Sequence, residues 1–231
     1  MPVYDKVAAE YSNVFNDINL RLFEWAWLEK LIKTSKPNSL LDLGCGNGYL
    51  SQALSGIVPC IYAVEPSVPM FEIAKERLGK KAVLHNAPAE NLPFASGSFD
   101  IAVSLLSFRY MDWGKALEEI HRVLKPEGTF ILIDLFASRF NPFFIGVYLK
   151  TWIGLRLQYA RNRDYRRKLK ELSRNSDWKK MVKENPKREL YGAKRAIEKG
   201  FIIAKEKLLS AGLHGKVTGL VCVKKQAAVL E

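Results

Sequence analysis

Cysteine and histidine are sparse in this chain, and neither is grouped. The three cysteines, Cys45, Cys60 and Cys222, lie far apart with no Cys-x-x-Cys and no histidine beside them. That pattern excludes a disulfide framework or a zinc site and suits a reducing compartment. The start, MPVYDKVAAEYSN, has no basic segment followed by an apolar one, so no secretory signal is expected and a cytoplasmic location follows. Long apolar runs are missing too. The stretch from Asn141 to Leu149, continued by Thr151 to Leu155, gives only about thirteen apolar residues, short of the roughly 20 that span a bilayer. With 231 residues and 48% hydrophobic content, the chain suffices for one domain over residues 1–231, with room for one appendage.

Negative charge is short in one place only. Residues 1–160 carry 16 Lys+Arg and 16 Asp+Glu, whereas residues 161–231 carry 20 and 8, so the whole net charge of +12 belongs to the last third. Within it, residues 161–195 hold 14 basic and 5 acidic side chains. A field of that sign attracts the phosphates of nucleic acid or an anionic membrane, or is simply a solvated helical surface.

Against these absences, glycine is concentrated. Residues 40–48 read Leu-Leu-Asp-Leu-Gly-Cys-Gly-Asn-Gly, and Glu65 closes a second apolar run 21 positions after Gly44. Leu40 to Leu43 suits a short buried strand, and Tyr49, Leu50, Ala53 and Leu54 have helical spacing. Gly44, Gly46 and Gly48 therefore sit on the turn between them, where glycine permits positive φ and lets a ligand approach bare backbone at a helix start. A dinucleotide fingerprint needs Gly-x-Gly-x-x-Gly. Here the third glycine comes one residue early and Asp42 stands two before the first. A carboxylate beside a phosphate would repel it, so the loop suits a ligand with a cationic end, a description that S-adenosylmethionine meets.

Strands and helices then alternate. Leu20, Phe23, Trp27, Leu28 and Leu31 form a helix face ended by Pro37 and Asn38. Strands are expected at Leu40 to Leu43, Ile57 to Val64, Ala82 to His85, Phe99 to Ser104 and Thr129 to Leu135, with helices from Gly48, over Val68 to Leu78 and over Lys115 to Leu124. The chain closes with a helix near Ala196 to Ala211 and a pair of strands about Gly219. The alternation predicts a doubly wound, parallel sheet with its site at the carboxyl ends of the strands, where Gly44, Glu65, Ala89 and Leu105 fall. His121, among Ile120, Val123 and Leu124, reads as a packing residue, and Cys60, after Pro59, lies at the wrong end of its strand for chemistry.

DLGCGNG, AVEPSVPM, APAENLPFASGSFDIAVS and EEIHRVLKPEGTFILID, in that order, resemble the successive motifs of class I S-adenosylmethionine-dependent methyltransferases, in particular the small-molecule group called type 11. The resemblance covers roughly residues 4–135 and resumes near 195. It implies an α/β, doubly wound, mostly parallel, seven-stranded Rossmann-like sheet with a helical insertion after the fifth strand. It also implies S-adenosylmethionine as cofactor and S-adenosylhomocysteine as product. Gly44, Gly46 and Gly48 would line the methionine end and ribose, Asp42 would lie beside the ammonium, and Glu65 would accept from both ribose hydroxyls. Met70 would pack on adenine, Ala89 and Glu90 would lie at its edge, the backbone at Leu105 would receive the ammonium, and Tyr11 would shield the sulfonium. Met70 and Tyr11 read equally well as core residues. Family members commonly carry Asp before the Ala-Glu pair; this chain has Pro88, so adenine recognition would fall to Glu90 or to backbone groups.

Methyl transfer needs placement more than acid–base groups. After the fourth strand the chain reads Ser104-Leu-Leu-Ser-Phe-Arg-Tyr110, unlike the Asn-Pro-Pro-Tyr type that methylates exocyclic base amines. Arg109, Tyr110 and Asp112 are the candidates to bind or deprotonate the acceptor. Specificity is expected in the 136–195 insertion, apolar and then basic, which suits a lid over a hydrophobic acceptor in peripheral contact with an anionic membrane, or a helix that covers the sheet edge. The expected activity is methylation of a hydrophobic small molecule, quinone-like or lipid-like. An RNA methyltransferase using the basic third, or a cofactor-binding protein without catalysis, are the alternatives.

Overall fold

A computed structural model describes residues 2–137, 142–212 and 215–225. Two short helices, α1 (Pro2–Asp5) and α2 (Ala8–Val14), and a longer one, α3 (Leu22–Ser35), precede the sheet. The helix expected from the Leu20 to Leu31 spacing is thus present, and it stops at Lys36, which takes a left-handed φ of 48° just before Pro37. Then follow β1 (Ser39–Leu43), α4 (Tyr49–Leu54), β2 (Cys60–Val64), α5 (Val68–Leu78), β3 (Val83–His85), β4 (Phe99–Leu105), α6 (Trp113–Val123) and β5 (Leu124–Ala137).

Among the described residues the sheet has seven strands in the order β3-β2-β1-β4-β5-β7-β6, where β6 is Phe201–Gly212 and β7 is Gly215–Lys224. Strands β1 to β5 pair in parallel and β7 runs antiparallel between β5 and β6. Order reverses at β1, so β1 and β4 diverge there and leave a crevice at their carboxyl ends. Period-2 alternation supplies both faces. Phe130 and Leu132 join the core under α6, while Ile131 and Ile133 join the core under α3 and α4.

Between β5 and β6, among the described residues, lie four α-helices: α7 (Ile145–Arg161), α8 (Arg163–Leu172), α9 (Ser176–Glu184) and α10 (Leu190–Ile197). Asn162 caps α8 by accepting from the Tyr165 amide, and Asn175 caps α9 by accepting from that of Trp178. The helical insertion after the fifth strand is therefore present; Asn141, where the apolar run begins, lies outside the described residues.

Two expectations fail. Gly219 does not divide a pair of strands: it lies within the single strand β7, in register with Ile133 of β5 and Lys207 of β6. The helix placed near Ala196 to Ala211 ends at Ile197, and residues 201–212 are strand β6. Its Ala, Lys, Glu and Leu residues favour helix locally, but β7 offers a full antiparallel ladder, and tertiary pairing decides. Register shifts between Ile203 and Lys205 and between Leu208 and Ser210 break the period-2 pattern that would have marked it. His121 is a packing residue, with its ring edge-on to Phe201 and Nε2 at 3.3 Å from the Lys225 carbonyl.

Candidate active site

The carboxyl ends of β1, β2 and β4, with α1 and α2 beside them, border a cavity of about 80 Å³. The glycine turn forms one wall. Gly44 has φ +66°, and a Cβ there would stand 2.8 Å from Ser107 Cβ, so only glycine lets this turn approach the loop after β4. Ser107 completes the junction by donating to the Leu43 carbonyl at 2.7 Å. Gly46 faces open space. Gly48 has a different role: it does not line the cavity, and it starts α4 against Leu78 and Ala74 of α5.

Among the described residues, the charged groups of the lining are all acidic. Asp42, Glu65 and Glu90 contribute carboxyl groups, and no lysine or arginine lines the cavity. Glu65, 7% exposed, accepts from the Gly46 amide at 2.8 Å and the Ser67 amide at 2.9 Å. Burial raises its carboxyl from the ordinary value, against the pull of those two N–H groups. Asp42 is 1% exposed and accepts from the Ser51 hydroxyl at 2.7 Å. Burial pushes its carboxyl up to about 7, with Ser51 acting in the opposite sense and the nearby Glu65 charge adding to the rise. Asn47 points the same way: its Nδ2 donates to Ser12 Oγ and to the Phe15 carbonyl, while its buried Oδ1 has no partner. A space that gathers carboxyl groups and an idle carbonyl, with no basic side chain among its described lining residues, is suited to a cationic ligand.

The remaining lining is aromatic and apolar. Met70, Ala89, Leu105, Tyr11 and Tyr110, each expected at the site, reach the cavity. Tyr4, Cys45, Asn47, Tyr49, Ser107 and Met111 line it as well. They belong to segments remote from one another in sequence, and only Cys45, Asn47 and Tyr49 adjoin a motif. Tyr4 and Tyr110 bring their hydroxyls within 3.2 Å, and burial holds the Tyr4 phenol well above its ordinary value. Burial likewise raises the Cys45 thiol, which keeps it protonated and poorly nucleophilic.

Two candidates for the acceptor side do not reach the cavity. Arg109 turns inward to a buried ion pair with Asp134 of β5 at 2.7 Å. Asp112 caps α6, accepting from the Gly114 amide at 3.0 Å and that of Lys115 at 3.4 Å, while its own amide donates to Glu90 Oε1 at 2.7 Å. An Asp just ahead of a helical apolar pattern is an N-cap signal, and the sequence carried it. Pro88 leaves only its carbonyl, which accepts from the Asn91 amide at 3.2 Å.

The chain is similar to known proteins. A family model described as a methyltransferase domain matches residues 41–132. The chain is 32% identical to the demethylmenaquinone methyltransferase of Thermotoga maritima, over 66% of this chain and 70% of that one. It is 36% identical to an uncharacterized protein of Methanocaldococcus jannaschii over 55% of this chain, and there it spans about half, 48%, of the relative's length. The crystal structure of an S-adenosylmethionine-dependent methyltransferase from Aquifex aeolicus, 16% identical, superposes with a TM-score of 0.63, covering 90% of this chain and 93% of that one.

Proposed function

Because the chain belongs to the class I S-adenosylmethionine-dependent methyltransferases, we propose that the cavity holds the methyl donor and that the acceptor is a hydrophobic small molecule, quinone-like or lipid-like. The observation that carries the donor assignment is the lining itself: three carboxylates and an unpaired Asn47 Oδ1, with no basic side chain. Support for the acceptor class comes from the demethylmenaquinone methyltransferase relative and from the apolar helix α7 that follows β5. An acceptor of that kind partitions into bilayers, so peripheral contact with an anionic membrane belongs to the same reading.

S-adenosylmethionine supplies a sulfonium-activated methyl group that leaves in an in-line displacement, with S-adenosylhomocysteine as the other product. The chain's residues bind and orient. Asp42 and the Leu105 backbone would take the ammonium, with the bare backbone at Gly44 and Gly46 admitting the methionine end. Glu65 would exchange its amide contacts for two ribose hydroxyls, a role that its two oxygens allow. Met70 would lie on the adenine face, and Ala89 and Glu90 at its edge. Tyr11 would face the sulfonium, where an aromatic ring stabilises positive charge. Tyr110, whose hydroxyl already meets that of Tyr4, is the acceptor-side group that the cavity keeps, in preference to Arg109 or Asp112.

The test is formation of S-adenosylhomocysteine from S-adenosylmethionine and a demethylated naphthoquinone with an apolar tail, with folded RNA as the competing acceptor. Product with the quinone supports the reading; product with RNA alone overturns it. Separately, Glu65→Ala is expected to abolish donor binding by calorimetry, and unchanged affinity would remove Glu65 from the donor site.

A further inference from the structure

Helix α7 has two faces of opposite character. Its inward face is anchored: Thr151, 7% exposed, donates to the Val147 carbonyl at 2.8 Å and accepts from the Ala211 amide of β6 at 3.2 Å. Gly154 sits against Phe23 of α3, so closely that a Cβ would stand 2.8 Å from its ring. The helix is therefore fixed to the body by that face, and Arg166 of α8 lies over the Tyr159 ring at 5.5 Å. Its outward face carries Ile145, Leu149, Trp152, Ile153 and Tyr159, each between 42% and 56% exposed. Their spacing of 4, 3, 1 and 6 positions puts them on one stripe at 100° per residue. Soluble surfaces scatter such residues singly; a continuous stripe marks a contact site.

Charge identifies the partner. From Leu135 to Arg163 the sequence holds no Asp or Glu, while Lys150, Arg156, Arg161 and Arg163 lie on or next to α7. Among the described residues, no ion pair joins these four to a carboxylate. Arg156, three residues after Ile153 and three before Tyr159, lies within this stripe, and its guanidinium sits over the Trp152 ring at 4.8 Å, a cation–π contact that places positive charge directly on the apolar surface. No helix among the described residues is long and apolar enough to cross a membrane. A helix anchored on one face, apolar on the other and flanked by unpaired cations has the composition of an element that lies in a bilayer interface rather than across it.

We infer that the outward face of α7 docks the protein on an anionic lipid bilayer, with Leu149, Trp152 and Ile153 inserted among the acyl chains and Arg156, Arg161 and Arg163 at the headgroups, while Lys150 lies over the Phe23 ring of α3 at 5.6 Å. This deepens the proposed function, because it sets the protein on the phase that holds a hydrophobic acceptor. Docking is read without acceptor or turnover, so its failure and the failure of the methyl-transfer reading are distinguishable.

The experiment is flotation of the full chain with phosphatidylcholine vesicles, with and without phosphatidylglycerol. Wild type should float with the anionic vesicles, stay largely unbound with phosphatidylcholine alone, and release partly at high salt. Leu149→Glu with Trp152→Glu should lower the bound fraction roughly tenfold or more, while the melting temperature and donor affinity stay unchanged. No flotation on anionic vesicles overturns the inference, as does flotation that survives the double substitution. A wild-type dimer that the substitutions turn into a monomer, without vesicle binding, would make the stripe a subunit interface. Retention on RNA that the same substitutions abolish, again without vesicle binding, would make it a nucleic-acid surface.

Discussion

The Arg109 guanidinium meets the Asp134 carboxylate at 2.7 Å, with the two side chains 7% and 1% exposed. Asp134 also accepts from the backbone amides of Arg109 at 2.8 Å and Leu135 at 2.7 Å. This pair ties the loop after β4 to β5 and so fixes Tyr110, the next residue, at the cavity. Removing one partner leaves a buried charge behind. Arg109→Met is expected to destabilise the fold by roughly 3–5 kcal/mol, read from urea unfolding. Burial raises the Asp134 carboxyl and Arg109 opposes that rise. In the variant the carboxyl therefore rises further, the folded state holds its proton to higher pH, and the loss is greater at alkaline than at acid pH.

Asp42 makes stability depend on pH near neutrality. Its folded carboxyl titrates at about 7 against an ordinary value of 3.8. Between those values the folded chain keeps a proton that the unfolded chain has lost, so wild-type stability falls as pH rises through the window. At about 1.4 kcal/mol per pH unit, the cost above pH 7 reaches a few kcal/mol. Asp42→Asn removes this slope, so urea unfolding without donor should find the variant more stable than wild type at pH 8 and little different at pH 4. If Asp42 receives an ammonium, donor binding near pH 7 expels its proton. Calorimetry in buffers of different ionisation enthalpy should show that release in wild type and not in the variant.

What could be read from the sequence was what is local. The Leu40 to Gly48 turn, Glu65 at the end of β2 and Met70 on α5 follow from short-range spacing, because strand, turn and helix there are contiguous. Arg109 and Asp112 were in the right loop, but where a side chain turns depends on what distant residues bring to it. Asp134 arrives from β5 and draws Arg109 inward; the start of α6 claims Asp112. Tyr4 and Met111 carry no motif and become neighbours of the cavity only when α1 and the loop after β4 converge. Strand β6 was hidden for the same reason: its conformation comes from β7, and its two register shifts erase the alternation.

Gly44 and Gly46 separate packing from ligand contact. At both, an L residue is strained, by roughly 1–2 kcal/mol, since φ is +66° and +58°. Only at Gly44 would a Cβ also strike Ser107. Gly44→Ala is therefore expected to lose clearly more stability than Gly46→Ala in thermal unfolding. Gly46→Ala, with nothing within 4 Å of its new methyl, should instead weaken donor binding out of proportion to its small stability loss. Equal effects of the two substitutions on binding would mean that Gly46 does not face the donor.

The cover over the cavity is built from the start of the described chain and from the insertion after β5. Tyr11 on α2 lies 4.8 Å from Phe15 and 6.1 Å from Trp178 on α9, measured between ring centroids, and Phe15 meets Trp178 at 6.1 Å and Tyr165 on α8 at 6.4 Å. The insertion thus holds α2 down across the site. The space beneath them, about 80 Å³, is below the roughly 300–1,000 Å³ of small-molecule sites, and we expect α1 and α2 to shift as a nucleoside enters and to settle over it. Trp178→Ala removes the ring against which α2 closes without touching the cavity lining. Donor release in stopped flow should then quicken severalfold while the association rate holds or rises, because an interaction made only in the closed state slows opening. Hydrogen exchange of the α2 amides should quicken in parallel. A release rate equal to that of wild type would show that α2 closes on the body by its own contacts, with the insertion taking no part in gating.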